Sequence, residues 1–196
     1  MAEFLSAYGA TPVDVFLDRH LVECWSGPEA QAVLGGRDPI DDAAVHEAGH
    51  LVAAWRFGLG IRGAFIRLAG ERGARGVATF GPIGMTTAAI EEYRVAFEEL
   101  RVVTPTWIPT APRYVSDVRR AVGYARLLRS GRKAVHELVR VRRFEARMLV
   151  HRDAVLIRAV AAELLKAGRL SGVEVEAIIA RTMNAARARR LKEIGM

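Results

Sequence analysis

The sequence predicts a mainly α-helical protein with a small β-hairpin or sheet, an α+β fold. Apolar residues recur every three or four positions over much of the 196-residue chain, as in Ile157, Val160, Ala161 and Leu164. One short region, residues 61–80, instead alternates apolar and polar side chains around a glycine-bearing turn. Hydrophobic residues make up 51% of the chain, so it can bury a substantial core.

The first 40 residues are predicted to be an N-terminal extension. Residues 13–24 carry apolar side chains at helical spacing and predict a short helix, which the Ser-Gly-Pro sequence at 26–28 should end. His20 is expected to be a partly exposed bystander on this helix, although it is also a spare metal ligand.

Residues 41–60 contain His46-Glu47-Ala48-Gly49-His50, an H-E-x-x-H pattern in a segment with helical spacing. Residues four apart lie one above the other on a helix, so the imidazoles of His46 and His50 can reach one point. Two neutral imidazoles and one further ligand hold Zn²⁺ with a position left for water, and Glu47 can act on that water as general base. The pattern therefore predicts a zincin-like HExxH helix with zinc as cofactor.

The flanks of this segment have the composition of helix ends. Asp41 and Asp42 suit the cap and first turn of a helix, where acids are favoured. Gly58 and Gly60 should stop the helix, and Gly49 allows another backbone to approach closely.

The next segments predict a hairpin and then a helix. Residues 61–68 and 77–80 have strand-like patterns, and an edge strand of such a hairpin can pair with an extended substrate. A helix is predicted for residues 86–103. The three prolines of residues 104–113 exclude helix there.

The rest of the chain predicts a C-terminal helical bundle. Residues 116–128 form one helix, and residues 134–167 form one long helix or two consecutive ones. Ser171 and Glu174 have capping-box spacing at the start of a last helix. This last helix is predicted through Ile178 and Ile179, and residues 186–196 are expected to be a basic C-terminal tail that frays from Arg187.

Charge divides the chain into two unequal parts. Up to Asp117 there are 10 Lys and Arg against 15 Asp and Glu, a net charge of −5, and the remainder has 19 against 7, a net charge of +12. The whole chain therefore carries +7. A basic half of this kind indicates either solvated arginine-rich helix faces or attraction to nucleic acid, an anionic membrane or an acidic protein, and the first interpretation is favoured.

Three blocks of the sequence resemble the peptidase domain of the membrane-bound AAA+ zinc proteases of the FtsH type (M41-type). VHEAGHLVAAW is similar to that family's zinc helix, and SDVRRAVGYARLL to the segment that supplies its third zinc ligand, an aspartate at a helix start. RRFEARMLVHRDAVLIRAVAAELLKAGRLSGVEVEAII is similar to its C-terminal helices. The blocks occur in the family's order, which implies an FtsH-peptidase-like zinc domain over residues 41–185.

Carried over to this chain, the resemblance implies that His46 and His50 are zinc ligands, Glu47 is the general base and Asp117 is the third ligand. The residues alone leave the third ligand open. Asp117 also fits an ordinary first-turn acid, and Glu91 or Glu92 would give the His₂Glu set used by other zinc peptidases.

The chain also departs from that family. It contains no phosphate-binding G-x-x-x-x-G-K-[ST] loop and no apolar run near the roughly 18 residues of a membrane span. The expected activity is therefore ATP-independent, on a peptide or protein substrate, with a separate ATPase or a homo-oligomer as candidate partners. The N-terminus has no secretory signal, so the expected location is cytoplasmic, and the single Cys24 excludes an internal disulfide and a Cys-based zinc site.

Two competing hypotheses remain. The first is a non-enzymatic binding module of peptidase-like fold whose basic C-terminal helices bind an acidic partner or nucleic acid. The absence of aromatic interleaving and of a nucleic-acid motif disfavours nucleic acid. The second is a purely structural zinc, which needs a fourth protein ligand such as His20 or His151.

Overall fold

The computed structural model describes residues 12–35, 38–68, 74–81 and 115–194. Within these residues there are six helices and one three-stranded antiparallel sheet, which confirms the predicted α+β class. In chain order the elements are α1 (Pro12–Leu34), α2 (Pro39–Arg56), β1 (Gly60–Leu68), β2 (Ala74–Gly81), α3 (Val115–Leu128), α4 (Arg132–Arg152), α5 (Ala154–Ala167), β3 (Arg169–Ser171) and α6 (Gly172–Glu193).

The motif helix α2 ends before Gly58 as predicted, but it begins earlier, at Pro39, so neither Asp41 nor Asp42 is its cap. Asp38 is the N-cap, where its side chain accepts a hydrogen bond from the Ile40 N–H at 2.9 Å, and Asp41 and Asp42 lie in the first turn. Gly58 follows the last turn with a φ of 66°, a left-handed conformation that favours glycine. α2 is therefore held at both ends by local sequence.

The sheet has the strand order β2-β1-β3 and packs against α2. β1 and β2 form the predicted hairpin, with Ala64 opposite Ala78 and Ile66 opposite Gly76. The short β3, which the sequence did not predict, pairs with β1 on its other side. In the described part of the sheet, β2 is consequently an edge strand that lies next to the motif helix.

Two apolar clusters hold the helices together. One lies between α2, the sheet, α5 and α6 and includes Leu51, Ile157 and Ile179. The other lies between α1, α3 and α4 and includes Leu21 and Val122. Burial of such side chains is the main favourable term in folding, at roughly 25 cal/mol per Å² of apolar surface. α1 contributes Ala30 to the first cluster and Leu21 to the second, so this helix joins the two clusters.

The first helix does not end where the sequence predicts. α1 continues through Pro28, although a proline inside a helix removes a backbone hydrogen bond. Tertiary packing outweighs this loss, since α1 lies against α2, α3 and α4 and buries Leu21 and Trp25. The predicted break at residues 26–28 is therefore wrong. The prediction that His20 is partly exposed is also wrong, because its side chain is buried.

The predicted domain boundaries at residues 40 and 185 stay predictions.

The last helix is also longer than predicted. α6 begins with the predicted capping box, in which Ser171 Oγ accepts from the Glu174 N–H and the Glu174 carboxylate accepts from the Ser171 N–H. It continues to Glu193, so the predicted fraying from Arg187 is wrong. Arginine, lysine and alanine are good helix formers, and cations near a helix C-terminus are favoured by its dipole.

Several arginines of the basic half pair with acids of α1. Arg142 on α4 contacts Asp18 at 2.8 Å, and Arg143 contacts Glu29 at 2.6 Å. The Arg143 guanidinium also lies over the Trp25 ring, 4.9 Å from its centroid. Part of the basic charge is therefore used to dock α4 on α1.

The predicted helix at residues 86–103, with Glu91 and Glu92, and the proline-rich segment at 104–113 lie outside the described residues. Among the described helices, none combines the length and apolar character that a membrane crossing requires.

Candidate metal centre

The three predicted metal ligands meet at one point. His46 and His50 project from successive turns of α2, and Asp117 lies in the first turn of α3. His46 Nε2 is 3.1 Å from both His50 Nε2 and Asp117 Oδ2, and His50 Nε2 is 3.6 Å from Asp117 Oδ2. All three side chains are buried.

These distances fit a tetrahedral metal. Zinc bonds of roughly 2.0–2.1 Å in tetrahedral geometry separate neighbouring ligand atoms by about 3.3 Å. The observed separations bracket this value, and the donors are two imidazole nitrogens and a carboxylate oxygen. The group could therefore hold a metal ion.

Among the described residues, the group that could hold a metal has these three members. Asp117 thus lies where the resemblance implied, whereas its rivals Glu91 and Glu92 lie outside the described residues. Of the two suggested fourth ligands, His151 is exposed and His20 directs Nδ1 towards the Glu23 carboxylate, at 3.3 Å. Neither belongs to the group.

Behind His50 lies Glu23, a buried carboxylate on α1. His50 Nδ1 donates to the Glu23 carbonyl oxygen at 3.0 Å and lies 2.6 Å from Glu23 Oε1. Burial by itself would raise the pKa of Glu23. The charge of His50 and hydrogen bonds from His20 and His50 outweigh this effect and lower the pKa to about 2, so Glu23 is ionised.

Behind Asp117 lies Arg120, one turn further along α3. Its guanidinium donates to Asp117 Oδ1, so Oδ2 is left facing the histidines. Burial opposes ionisation of Asp117, but His50, His46 and Arg120 hold the pKa of its carboxyl well below the usual range. Asp117 is therefore a carboxylate with one oxygen fixed by Arg120 and the other directed at the metal-binding point.

Glu47 lies beside the ligands and against the edge strand. Its side chain is 6% exposed, and its carboxylate accepts a hydrogen bond from the Ala78 N–H of β2. A β-carbon on Gly76 would lie 2.6 Å from Glu47 Oε1, so the glycine makes room for this carboxylate. Burial raises the pKa of Glu47, although the nearby His50 and His46 oppose the shift.

Two further glycines let α1 approach the motif helix. A β-carbon on Gly49 would lie 2.5 Å from the Ser26 carbonyl oxygen, and one on Gly27 would overlap the His50 ring, 2.5 Å from Cδ2. The predicted role of Gly49 in close backbone approach is confirmed. α1 therefore forms one wall of the site.

Comparisons with known proteins give no relatives: no protein-family model, no curated protein and no solved structure matches this chain.

Sequence reasoning missed the residues behind the ligands. Glu23, Gly27 and Arg120 had no motif of their own, and the expected break at 26–28 directed attention away from α1. One local signal was available, because His20 and Glu23 are three residues apart and so share a side of a helix with an apolar face.

Proposed function

We propose that this chain is an ATP-independent zinc metallopeptidase with His46, His50 and Asp117 as zinc ligands and Glu47 as general base. The observation that carries the proposal is the tetrahedral spacing of three buried ligand atoms beside a buried glutamate. Three protein ligands are the usual number in catalytic zinc sites, where the next position belongs to water or substrate.

The ligand set favours zinc among biological metals. Imidazole and carboxylate donors suit zinc, and the narrow spacing suits its preference for four ligands. Magnesium and calcium instead prefer sets made mainly of oxygen atoms.

The proposed reaction needs a proton acceptor beside the metal. Zinc bound here would lower the pKa of a bound water towards 7 and polarise a peptide carbonyl. Glu47 takes the proton from the attacking water and passes it to the leaving amine. Burial suits Glu47 to this role, since a raised pKa makes a carboxylate a better proton acceptor.

The edge strand β2 supports a peptide as substrate. Ala78 and Gly76 lie next to Glu47, so a chain paired with the outer edge of β2 would run past the proposed base. Extended peptides bind to exposed strand edges through backbone hydrogen bonds. An unfolded or extended segment is therefore the proposed form of the substrate.

The proposed lineage is FtsH-like. It is supported by the resemblance of three sequence blocks and by the position of Asp117 in the first turn of α3, the next described helix after β2. These 196 residues contain no phosphate-binding loop, and a separate ATPase or a homo-oligomer is a proposed partner.

Metal content and peptide cleavage test the proposal together. Wild type should retain about one zinc per chain after dialysis, and His46→Ala, His50→Ala and Asp117→Ala should lose it. Asp41→Ala is the control for Asp117→Ala, because it also removes an acid from the first turn of a helix, α2, without removing a proposed ligand. Glu47→Gln should keep zinc but no longer cleave a library of unstructured peptides.

Each outcome has a separate consequence. Full zinc retention by Asp117→Ala would refute the ligand assignment and direct attention to Glu91→Gln and Glu92→Gln. Zinc-loaded wild type that cleaves nothing in the library would contradict the peptidase proposal.

A second candidate function is supported by the outer part of α6. Beyond Ala180 this helix exposes five basic side chains, Arg181, Arg187, Arg189, Arg190 and Lys192. Such a surface could bind an acidic protein with an affinity that falls steeply with salt. Polyglutamate is the acidic probe for this surface. Binding that is equally strong at low and high salt, or that is lost in Glu47→Gln, would contradict this second function.

A further inference from the structure

A carboxylate buried completely behind a metal ligand requires a physical reason. Glu23 is 0% exposed, and a charge removed from water is costly unless it is compensated. Its side chain is directed at the metal centre, since Oε1 lies 2.6 Å from His50 Nδ1. Its other oxygen, Oε2, lies 3.3 Å from His20 Nδ1 and 3.8 Å from Cys24 Sγ.

The contacts of His50 assign its two ring nitrogens. A carbonyl oxygen can only accept a hydrogen bond, so the contact with the Glu23 carbonyl requires a proton on Nδ1. In the neutral ring that can bind a metal, Nε2 is therefore the nitrogen that offers a lone pair, and it faces His46 Nε2 and Asp117 Oδ2. Glu23 therefore contacts His50 on the side opposite to the metal-binding point.

We propose that Glu23 is a positioning residue of the metal centre, whose buried carboxylate holds the His50 ring and strengthens its bond to the metal. The inference rests on the proposed zinc site and not on peptidase activity. A carboxylate beside the distal nitrogen of a metal-bound histidine orients the ring and raises its basicity. The backbone carbonyl fixes the position of the proton, and the carboxylate adds the negative charge.

A competing explanation is that Glu23 only fastens α1 to α2. The chain offers a matched control for it. Glu29 lies on the same helix, is 3% exposed and is held by Arg143 at 2.6 Å on α4. It is thus a second buried carboxylate that joins α1 to a neighbouring helix, but its partners are arginines and not a metal ligand.

The experiment measures zinc affinity by competition with a chromophoric chelator, using the full chain. Glu23→Gln, which keeps the size of the side chain and removes its charge, should weaken zinc binding by about 10- to 100-fold. Glu23→Asp keeps the charge but places it one methylene further away. Its zinc affinity should lie between those of wild type and Glu23→Gln. Glu29→Gln should stay within about twofold of wild type.

A second readout follows the proton itself. In zinc-loaded protein the His50 Nδ1 proton should give a downfield, slowly exchanging NMR signal, because it is buried beside a carboxylate. The signal should move upfield in Glu23→Gln and stay in place in Glu29→Gln. A purely structural role for Glu23 would not move it.

The outcomes separate the positioning role from the proposed function. Equal zinc affinity in wild type and Glu23→Gln, or equal losses in Glu23→Gln and Glu29→Gln, would overturn the positioning role and leave the peptidase proposal intact. Zinc binding with the expected ranking but without peptide cleavage would support the positioning role and contradict the peptidase. If Glu23→Gln does not fold, Glu23→Asp and Glu29→Asp are compared instead. A loss of zinc affinity in Glu23→Asp that is no greater than the loss in Glu29→Asp would also overturn the positioning role.

Discussion

Gly27 of α1 lies directly against the imidazole of His50 on α2. A β-carbon at position 27 would overlap the ring and lie 2.5 Å from Cδ2. The absence of a side chain at position 27 of α1 therefore makes room for the ring of a proposed metal ligand on α2.

Gly27→Ala should displace His50 and weaken zinc binding at least about tenfold, the lower end of the effect of disturbing residues behind a metal ligand. The matched control is Gly49→Ala, whose β-carbon would press on the Ser26 backbone and not on a ligand side chain. Both variants should be less stable, but Gly27→Ala should show the larger loss of zinc affinity. Equal losses would mean that Gly27 acts only through helix packing.

Gly76→Ala should separate catalysis from metal binding. Its β-carbon would press on the Glu47 side chain, 2.6 Å from Oε1, and so displace the proposed base. Zinc affinity should stay near that of wild type, while the peptide cleavage rate should fall towards that of Glu47→Gln. Normal cleavage by a Gly76→Ala protein that retains zinc would contradict the assignment of Glu47.

Zinc binding should release a proton near neutral pH. In the metal-free protein burial lowers the pKa of His50, but the charges of Glu23 and Asp117 raise it well above the ordinary value of 6.5. A metal ligand must be neutral, so zinc displaces this proton, and calorimetry at pH 7 in buffers of different ionisation enthalpy should detect about one proton released per zinc. If zinc binding released no protons, the raised pKa of His50 would be contradicted.

The same shifts predict how stability of the metal-free protein depends on pH. The pKa of His50 is raised, so its contribution to the free energy of unfolding is complete below pH 6.5 and is lost as pH rises through the folded value. The pKa of Glu23 is lowered from 4.5 to about 2, so its contribution is present above pH 4.5 and is lost as pH falls towards 2. The contributions of these two groups are therefore both complete between about pH 4.5 and 6.5, and chemical denaturation of wild type against Glu23→Gln across this range should detect the contribution of Glu23.

Asp153 should matter for stability and not for the metal. It lies between α4 and α5, is buried, and accepts from Arg56 Nη2 at 2.6 Å and Arg56 Nε at 2.9 Å. Asp153→Asn should lower the free energy of unfolding by about 1.5–3 kcal/mol, the usual range for hydrogen bonds to charged groups. Glu137→Gln, which disrupts the exposed Glu137–Arg140 pair, should have no measurable effect in the same denaturant titration.

The sequence predicted the parts of this site that local patterns determine. The spacing of His46 and His50 on one helix needs no tertiary information, and neither does the capping box at Ser171 or the glycine that ends α2. Asp117 came from the resemblance, since its local sequence indicates only a first-turn acid. Glu23 could not be predicted in the same way, because its role depends on the docking of α1, and a Ser-Gly-Pro sequence in isolation favours a break that tertiary packing prevents.

The separation of His46 and Asp117 by 71 positions in the chain determines when the site can form. A chain synthesised only as far as β2 has both imidazoles but lacks the aspartate, and closing so long a loop costs entropy that packing must first offset. Under the proposed function, tight zinc capture would come after α3 has docked, late in folding. Unfinished chains would then remain without hydrolytic capacity until their tertiary structure is complete.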